Sequence, residues 1–213
     1  MKERPILFSA PMVRAILAGR KTQTRRLVKD CQQFRDWDVG PSDAYHVLNA
    51  TDGTAAAAFL VAGDHGYTDW IGCPYGNPGN TLWVRETVRW TGGPRAEFVA
   101  DSAPCVIDTW PWKRPVLPAI HMPRGASRLS LRVSEVRVQR LNEITEADCW
   151  AEGIEEVDGA LDDAAIFAAA KAMDCSYEEA RPTFAVLWDS INADRAPWAS
   201  NPWVWAISFE VLS

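Results

Sequence analysis

Lys21 and Thr24 stand three residues apart in Gly19-Arg20-Lys21-Thr22-Gln23-Thr24-Arg25-Arg26, a polar and basic run. An amine and a hydroxyl at that spacing converge where the chain turns, whereas along a flat strand they face opposite ways. Arg20, Arg25 and Arg26 crowd the amine, and like charges together with burial disfavour its protonated form. A neutral amine can take a proton from a hydroxyl, so the pair reads as a nucleophile, Thr24, with Lys21 as its base. A solvated basic turn is the plainer account of the same residues. Glu86 is the third reactive group. Thr81 to Trp90 alternates, with Leu82, Val84, Glu86, Val88 and Trp90 on one face and Trp83, Arg85, Thr87 and Arg89 on the other. A carboxylate on the apolar face either pairs with a cation, Lys21 or an arginine, or stays protonated and serves as a general acid. A structural ion pair is the competing account.

The elements that must position these groups are legible in the surrounding pattern. Ser9 and Pro11 open a short helix carrying Met12, Val13, Ile16 and Leu17 at helical spacing, and Gly19 closes it. The chain then runs straight into the basic segment. Residues 31–80 are rich in Gly, Pro and Asp and read as a loop-rich insertion, with a short helix through the alanines at 55–58. A further strand is expected at Ala96–Ala100, and a long one from Arg128. In the long strand Leu129, Leu131 and Val133 carry one parity, and Val136 and Val138 the other. A bulge near Ser134-Glu135 would restore the apolar face. Thr145 and Asp148 announce a short helix ending near Gly153. Asp162 to Met173 and the stretch from the Ser176-x-x-Glu179 box to Ile191 are expected helices. Trp203 to Val211 is a closing strand. The sequence thus implies one α+β domain on a strand core, with an insertion at 31–80 and a helical region at 141–200.

Charge is uneven along the chain. The net charge is −6, yet residues 1–30 hold 8 Lys/Arg against 2 Asp/Glu, and residues 81–140 hold 10 against 5. Residues 31–80 hold 1 against 6, and residues 141–213 hold 3 against 15. If the two basic segments meet, they make a local positive pocket that the total conceals. An extended nucleic-acid surface is disfavoured.

Eleven tryptophans are more than a core of this size needs. Trp188, Trp203 and Trp205 read as core, whereas Trp83 on the basic strand face and Trp110, Trp112 and Trp198 in loops can stack on a base. Five cysteines with no CxxC read as reduced thiols, and His46, His65 and Cys73 match no familiar zinc spacing. No phosphate loop, GxGxxG, GxSxG or HExxH occurs. No apolar run of bilayer length occurs and no secretory leader is expected, so a cytoplasmic protein without a membrane partner is expected.

The helix followed by Gly19-x-Lys21-x-x-Thr24-x-Arg26 resembles the signature of ASCH domains, small PUA-like β-barrels associated with RNA. Trp83-Val84-Arg85-Glu86-Thr87, Ile120-His121-Met122-Pro123 and Asn201-Pro202-Trp203-Val204-Trp205 resemble the longer ASCH proteins of phages and prophages. Many ASCH domains carry Glu where this chain has Thr24. Thr at that position is similar to the subgroup that hydrolyses N(4)-acetylcytidine to cytidine and acetate with a Thr, a Lys and a Glu. The resemblance implies a PUA-like barrel with flanking helices, catalytic Lys21, Thr24 and Glu86, and no metal or other cofactor. Arg26 or Arg85 would hold the oxyanion, with Trp83 against the base and His121 among the substrate-binding residues. The expected partner is a modified nucleoside or single-stranded RNA. The alternatives are a module that binds RNA or a modified base without reacting, a ribonuclease using Lys21, Arg26 and His121, and an interaction protein with a vestigial pocket.

Overall fold

A computed structural model describes residues 3–28, 46–49, 55–58, 70–92, 95–107, 110–157 and 159–212. In chain order the elements are β1 (Glu3–Leu7), α1 (Ala10–Leu17), β2 (Gln23–Leu27), β3 (His46–Asn49), β4 (Ala55–Ala58), β5 (Ile71–Gly72), β6 (Thr81–Arg85), β7 (Val88–Gly92), β8 (Arg95–Phe98), β9 (Pro104–Cys105), β10 (Val116–Leu117), β11 (Ser130–Arg140), α2 (Glu146–Ala151), α3 (Asp163–Met173), α4 (Ala180–Asn192) and β12 (Trp203–Leu212). The architecture is α+β. Its main sheet has the order β1-β6-β11-β12-β2, with β1 parallel to β6 and the other pairs antiparallel. A second sheet runs β10-β7-β8-β9 and a third runs β3-β4-β5.

The long strand behaves as its parity change requires. The pairing of β11 with β12 shifts register between Val133 and Glu135, so Leu131, Val133, Val136 and Val138 are all buried. They join Ile6, Val13, Ile16, Leu82, Val84, Trp205 and Ile207 in one apolar cluster, to which the insertion adds Ala55, Ala57 and Cys73. The main sheet does not close by strand pairing among the described residues. Its two edge strands are tied instead by a side chain, Arg26 Nη2 donating to the Leu7 carbonyl at 2.7 Å. No helix among the described residues is long and apolar enough to cross a membrane.

Three elements differ from the sequence reading. The alanines at 55–58 form strand β4, paired on both sides by β3 and β5. Burial of a small-residue strand against the core overrides their helical propensity. The alternation from Thr81 to Trp90 is two strands in two sheets, broken at Glu86-Thr87. There the Glu86 amide donates to Met122 Sδ at 3.0 Å in place of a ladder partner, and the chain leaves the first sheet. The box at Ser176–Glu179 forms a turn, with Glu179 Oε1 accepting from the Ser176 amide, and α4 starts only at Ala180.

The helical region docks on the β2 side of the main sheet through one close approach. Gly153, just after α2, has φ +77, and a Cβ there would lie 2.9 Å from Ala15 Cβ and 3.0 Å from Lys21 Cβ. Gly153→Ala therefore combines left-handed strain of about 1–2 kcal/mol with steric overlap. Urea unfolding should show a loss of at least that size. A change below a few tenths would contradict the close packing of α2 on Lys21.

Candidate functional site

The basic run folds as the convergence argument requires at one end and not at the other. Gly19, with φ +73, ends α1, and the chain turns so that Lys21 points inward while β2 begins at Gln23. Lys21 is 2% exposed. Its Nζ donates to the Gln23 carbonyl at 2.8 Å, the Glu152 carbonyl at 2.7 Å and Glu152 Oε2 at 2.8 Å. Three acceptors around one nitrogen match an ammonium paired with the Glu152 carboxylate. Burial first of all pulls Lys21 below the usual lysine range. Glu152 opposes that shift, while Arg26 and Arg25 add to it.

Glu152 carries no recognisable motif and was not among the sequence candidates. It is nevertheless the centre of the network. Its other oxygen accepts from Arg25 Nη1 at 3.1 Å, and Arg25 also donates to Gln23 Oε1 at 2.6 Å and to Asp148 Oδ2 at 2.9 Å. Burial works against the charged form of Asp148, yet Arg25 and Arg137 hold its carboxyl below the usual range. Gln23 and Arg25 share the strand face that meets α2, and both reach this network. Thr24 alternates to the other face, opposite Ile207 on β12, and is buried. Its hydroxyl carries no hydrogen bond among the described residues. Arg26 shares the parity of Thr24, and its guanidinium lies 5.2 Å from the centre of the Phe8 ring. The Lys21 ammonium is 5.6 Å from the same centre.

Glu86 is as buried as the sequence demands, at 1% exposed, but its partner is Arg128. Arg128 Nε donates to Oε1 at 3.0 Å and Nη2 to Oε2 at 2.7 Å, a two-pronged pair that engages both carboxylate oxygens. The guanidinium also binds Asp101 and lies 3.9 Å from the Phe98 ring centre. The structure therefore joins Lys21 to Glu152 and Glu86 to Arg128, the arginine alternative of the two cations expected for Glu86, so Glu86 does not join Lys21. The residue type was expected for Glu86, but nothing in the sequence singled out Arg128 among the arginines.

The expected binding residues are dispersed. Trp83 is buried, with the guanidiniums of Arg85 and Arg124 at 4.7 Å and 5.9 Å from its ring, so it is packed rather than offered to a base. Arg85 donates to the Ile120 carbonyl at 3.1 Å, which places it beside the surface turn holding the exposed His121. Trp188 and Trp205 are core as expected, Trp203 is half-buried, and Trp198 packs partly against the α4 cluster. His65 lies outside the described residues, and those residues include no group of three or more metal-ligating side chains.

The charge segments also combine differently from expectation. The basic amino-terminal segment meets the acidic helical region. Arg14 and Arg20 bind Glu156, Lys21 binds Glu152, and Arg25 binds Asp148. Basic and acidic segments cancel across this contact, while the two basic segments also meet where β1 pairs with β6.

No protein-family model, no curated protein and no solved structure matches the chain.

The pair has a defined pH signature. At low pH Lys21 is protonated in both folded and unfolded chains. Between its depressed folded value and the usual 10.5 the unfolded chain holds more protons, so stability rises with pH across that window. Lys21→Met should remove this rise, measured as the difference between the two proteins in urea unfolding from pH 7 to 10.5. Parallel curves would contradict it. Glu152→Ala, which strands Lys21 without a carboxylate, should destabilise by about 3–5 kcal/mol, well beyond Lys21→Met.

Proposed function

We propose that the chain is an amidohydrolase that removes an acyl group from the exocyclic amine of a cytosine nucleoside, as its resemblance to N(4)-acetylcytidine-hydrolysing ASCH proteins implies. One observation carries the reading: the buried Lys21 ammonium is hydrogen-bonded to the Gln23 carbonyl, whose peptide leads directly into Thr24, and to Glu152 Oε2 at 2.8 Å. Lys21 and Glu152 are thus paired in a low-dielectric site, and Thr24 follows on the opposite face of β2. In this proposal Glu152 takes the place in the set that the resemblance assigned to Glu86. The PUA-like barrel belongs to the same proposal, with the Arg26 to Leu7 hydrogen bond bridging the two edges that a barrel would pair.

The chemistry then balances as follows. A proton passes from Lys21 to Glu152, leaving a neutral amine and a neutral acid. Lys21 takes the Thr24 proton as Oγ1 attacks the amide carbonyl. Arg26, two residues along the same strand face, is placed to stabilise the oxyanion. Collapse breaks the C–N bond, and Glu152 returns its proton to the departing exocyclic amine. Water hydrolyses the threonine ester by the same route, releasing the carboxylate and regenerating the pair. No cofactor enters these steps.

A second reading, binding of a modified base without reaction, is favoured by the saturation of Lys21, whose three protons all meet acceptors. Incubation with N(4)-acetylcytidine, with cytidine followed by chromatography, separates the two. The hydrolase reading expects turnover that falls at least 100-fold in Lys21→Ala and Thr24→Ala, and that is impaired in Glu152→Gln. Saturable binding of the nucleoside with no cytidine released would establish the second reading instead. Undiminished turnover by Thr24→Ala would remove Thr24 as the nucleophile.

A further inference from the structure

A groove remote in sequence from Lys21 and Thr24 gathers Trp90, Trp110, Trp112, Lys113, Arg114 and Pro115, with a volume of about 420 Å³. We infer that it is a stacking site for a nucleotide of a single-stranded nucleic acid, with the base against tryptophan and the phosphate on Lys113 and Arg114. The inference stands apart from hydrolysis, since the groove needs none of the residues proposed to react.

The groove is built by the second sheet. β10 pairs with β7, Val116 opposite Arg89, so the preceding segment folds over the end of β7 and the Trp90 amide donates to the Pro115 carbonyl at 2.7 Å. Trp110 Nε1 donates to the Arg114 carbonyl at 2.9 Å, closing the Trp110–Arg114 loop on itself. Trp110 and Trp112 meet edge to face, centroids 4.9 Å apart at 71°. In that geometry the ring presenting its edge keeps both faces clear of its neighbour. Both rings also pack partly on the apolar cluster of Val88, Phe98, Leu117 and Met122, which holds them in place before any ligand arrives. Trp90 is 41% exposed in the middle of β7, next to the point where the pairing of β7 with β8 shifts register. Such bulges re-aim side chains.

Charge selects the occupant. Lys113 and Arg114 are exposed, and among the described residues neither forms an ion pair and no carboxylate lines the groove. Anions are therefore favoured there even though the chain carries −6. Planar rings joined to a regularly spaced anion match this combination of indoles and cations. Base stacking on aromatic side chains tolerates any sequence because every base has a π face. The volume lies within the range of about 300–1,000 Å³ usual for small-ligand clefts, which suits one nucleotide better than a duplex.

The experiment is fluorescence anisotropy of 5′-labelled 12-mer RNAs, oligo(U) and oligo(A), with the full chain. The unlabelled duplex of the two, UMP and AMP, and an acidic peptide containing tyrosine serve as competitors. Neither RNA carries an acylated base, so the outcome is read independently of hydrolysis. Single strands should bind and out-compete duplex, mononucleotide and peptide. Trp90→Ala and Trp112→Ala should each weaken binding about 5- to 150-fold, the range of one stacked base. Lys113→Ala with Arg114→Ala, both at exposed positions, should flatten the slope of log K against log salt by about 1.4, two phosphate contacts on a single strand. Absence of binding at 50 mM salt, or binding that none of these variants moves, would overturn the inference. Competition by mononucleotide equal to that of the strand would overturn the strand as occupant, and preference for the peptide would overturn the nucleotide.

Discussion

Burial of a lysine ammonium beneath β2 is the constraint on which the surrounding structure depends. A charge removed from water costs several kcal/mol unless acceptors replace its hydration, and Lys21 has three of them, two supplied by Glu152. That need fixes where α2 ends, because one residue must offer both its carbonyl and its carboxylate to the same nitrogen. It also explains Gly153, since the next residue passes against the Lys21 stem where no Cβ fits. Arg25 then shares the Glu152 carboxylate and draws in Asp148, which binds Arg137 on β11. One buried cation thereby couples β2, α2 and β11.

The same requirement explains the uneven charge along the chain. A segment of +6 and a segment of −12 are complementary surfaces that become neutral where they meet. Arg14, Arg20, Lys21 and Arg25 all face carboxylates of residues 148–156. The second basic segment is also partly neutralised, Arg128 by Glu86 and Asp101 and Arg89 by Glu97. Its loop at Trp110–Pro115 keeps two exposed cations beside tryptophans. The positive potential that the sequence placed near Lys21 is therefore better developed at the second sheet.

Local rules carried far where the signal was local. The α1 boundaries, the bulge in β11, the Thr145 cap of α2 and the closing strand all follow from spacing within a few residues. Lys21 and Glu86 were recognisable as buried ionisable groups because the pattern around each is apolar or like-charged. Their partners were not, because Glu152 is 131 residues from Lys21 and Arg128 is 42 from Glu86. Partner choice depends on which elements dock, and several carboxylates in the acidic region satisfy the same pattern. β4 shows the converse case, where tertiary pairing overrules the local preference of four alanines for helix.

Structural and catalytic accounts of Lys21 lean on the same contacts, and their relation can be argued from the protons. Two of the three go to carbonyls, and the third lies on the bond to Glu152. Transfer of that third proton leaves both carbonyl bonds intact and yields a neutral amine whose lone pair faces Glu152. For the lone pair to reach Thr24, the amine must release the Gln23 carbonyl and turn along the peptide that joins Gln23 to Thr24. Burial lowers the proton affinity of Lys21, and Arg25 donates to the same Glu152 carboxylate. In the proposed hydrolysis Arg25, on the face opposite Thr24, would bias the pair without touching the substrate.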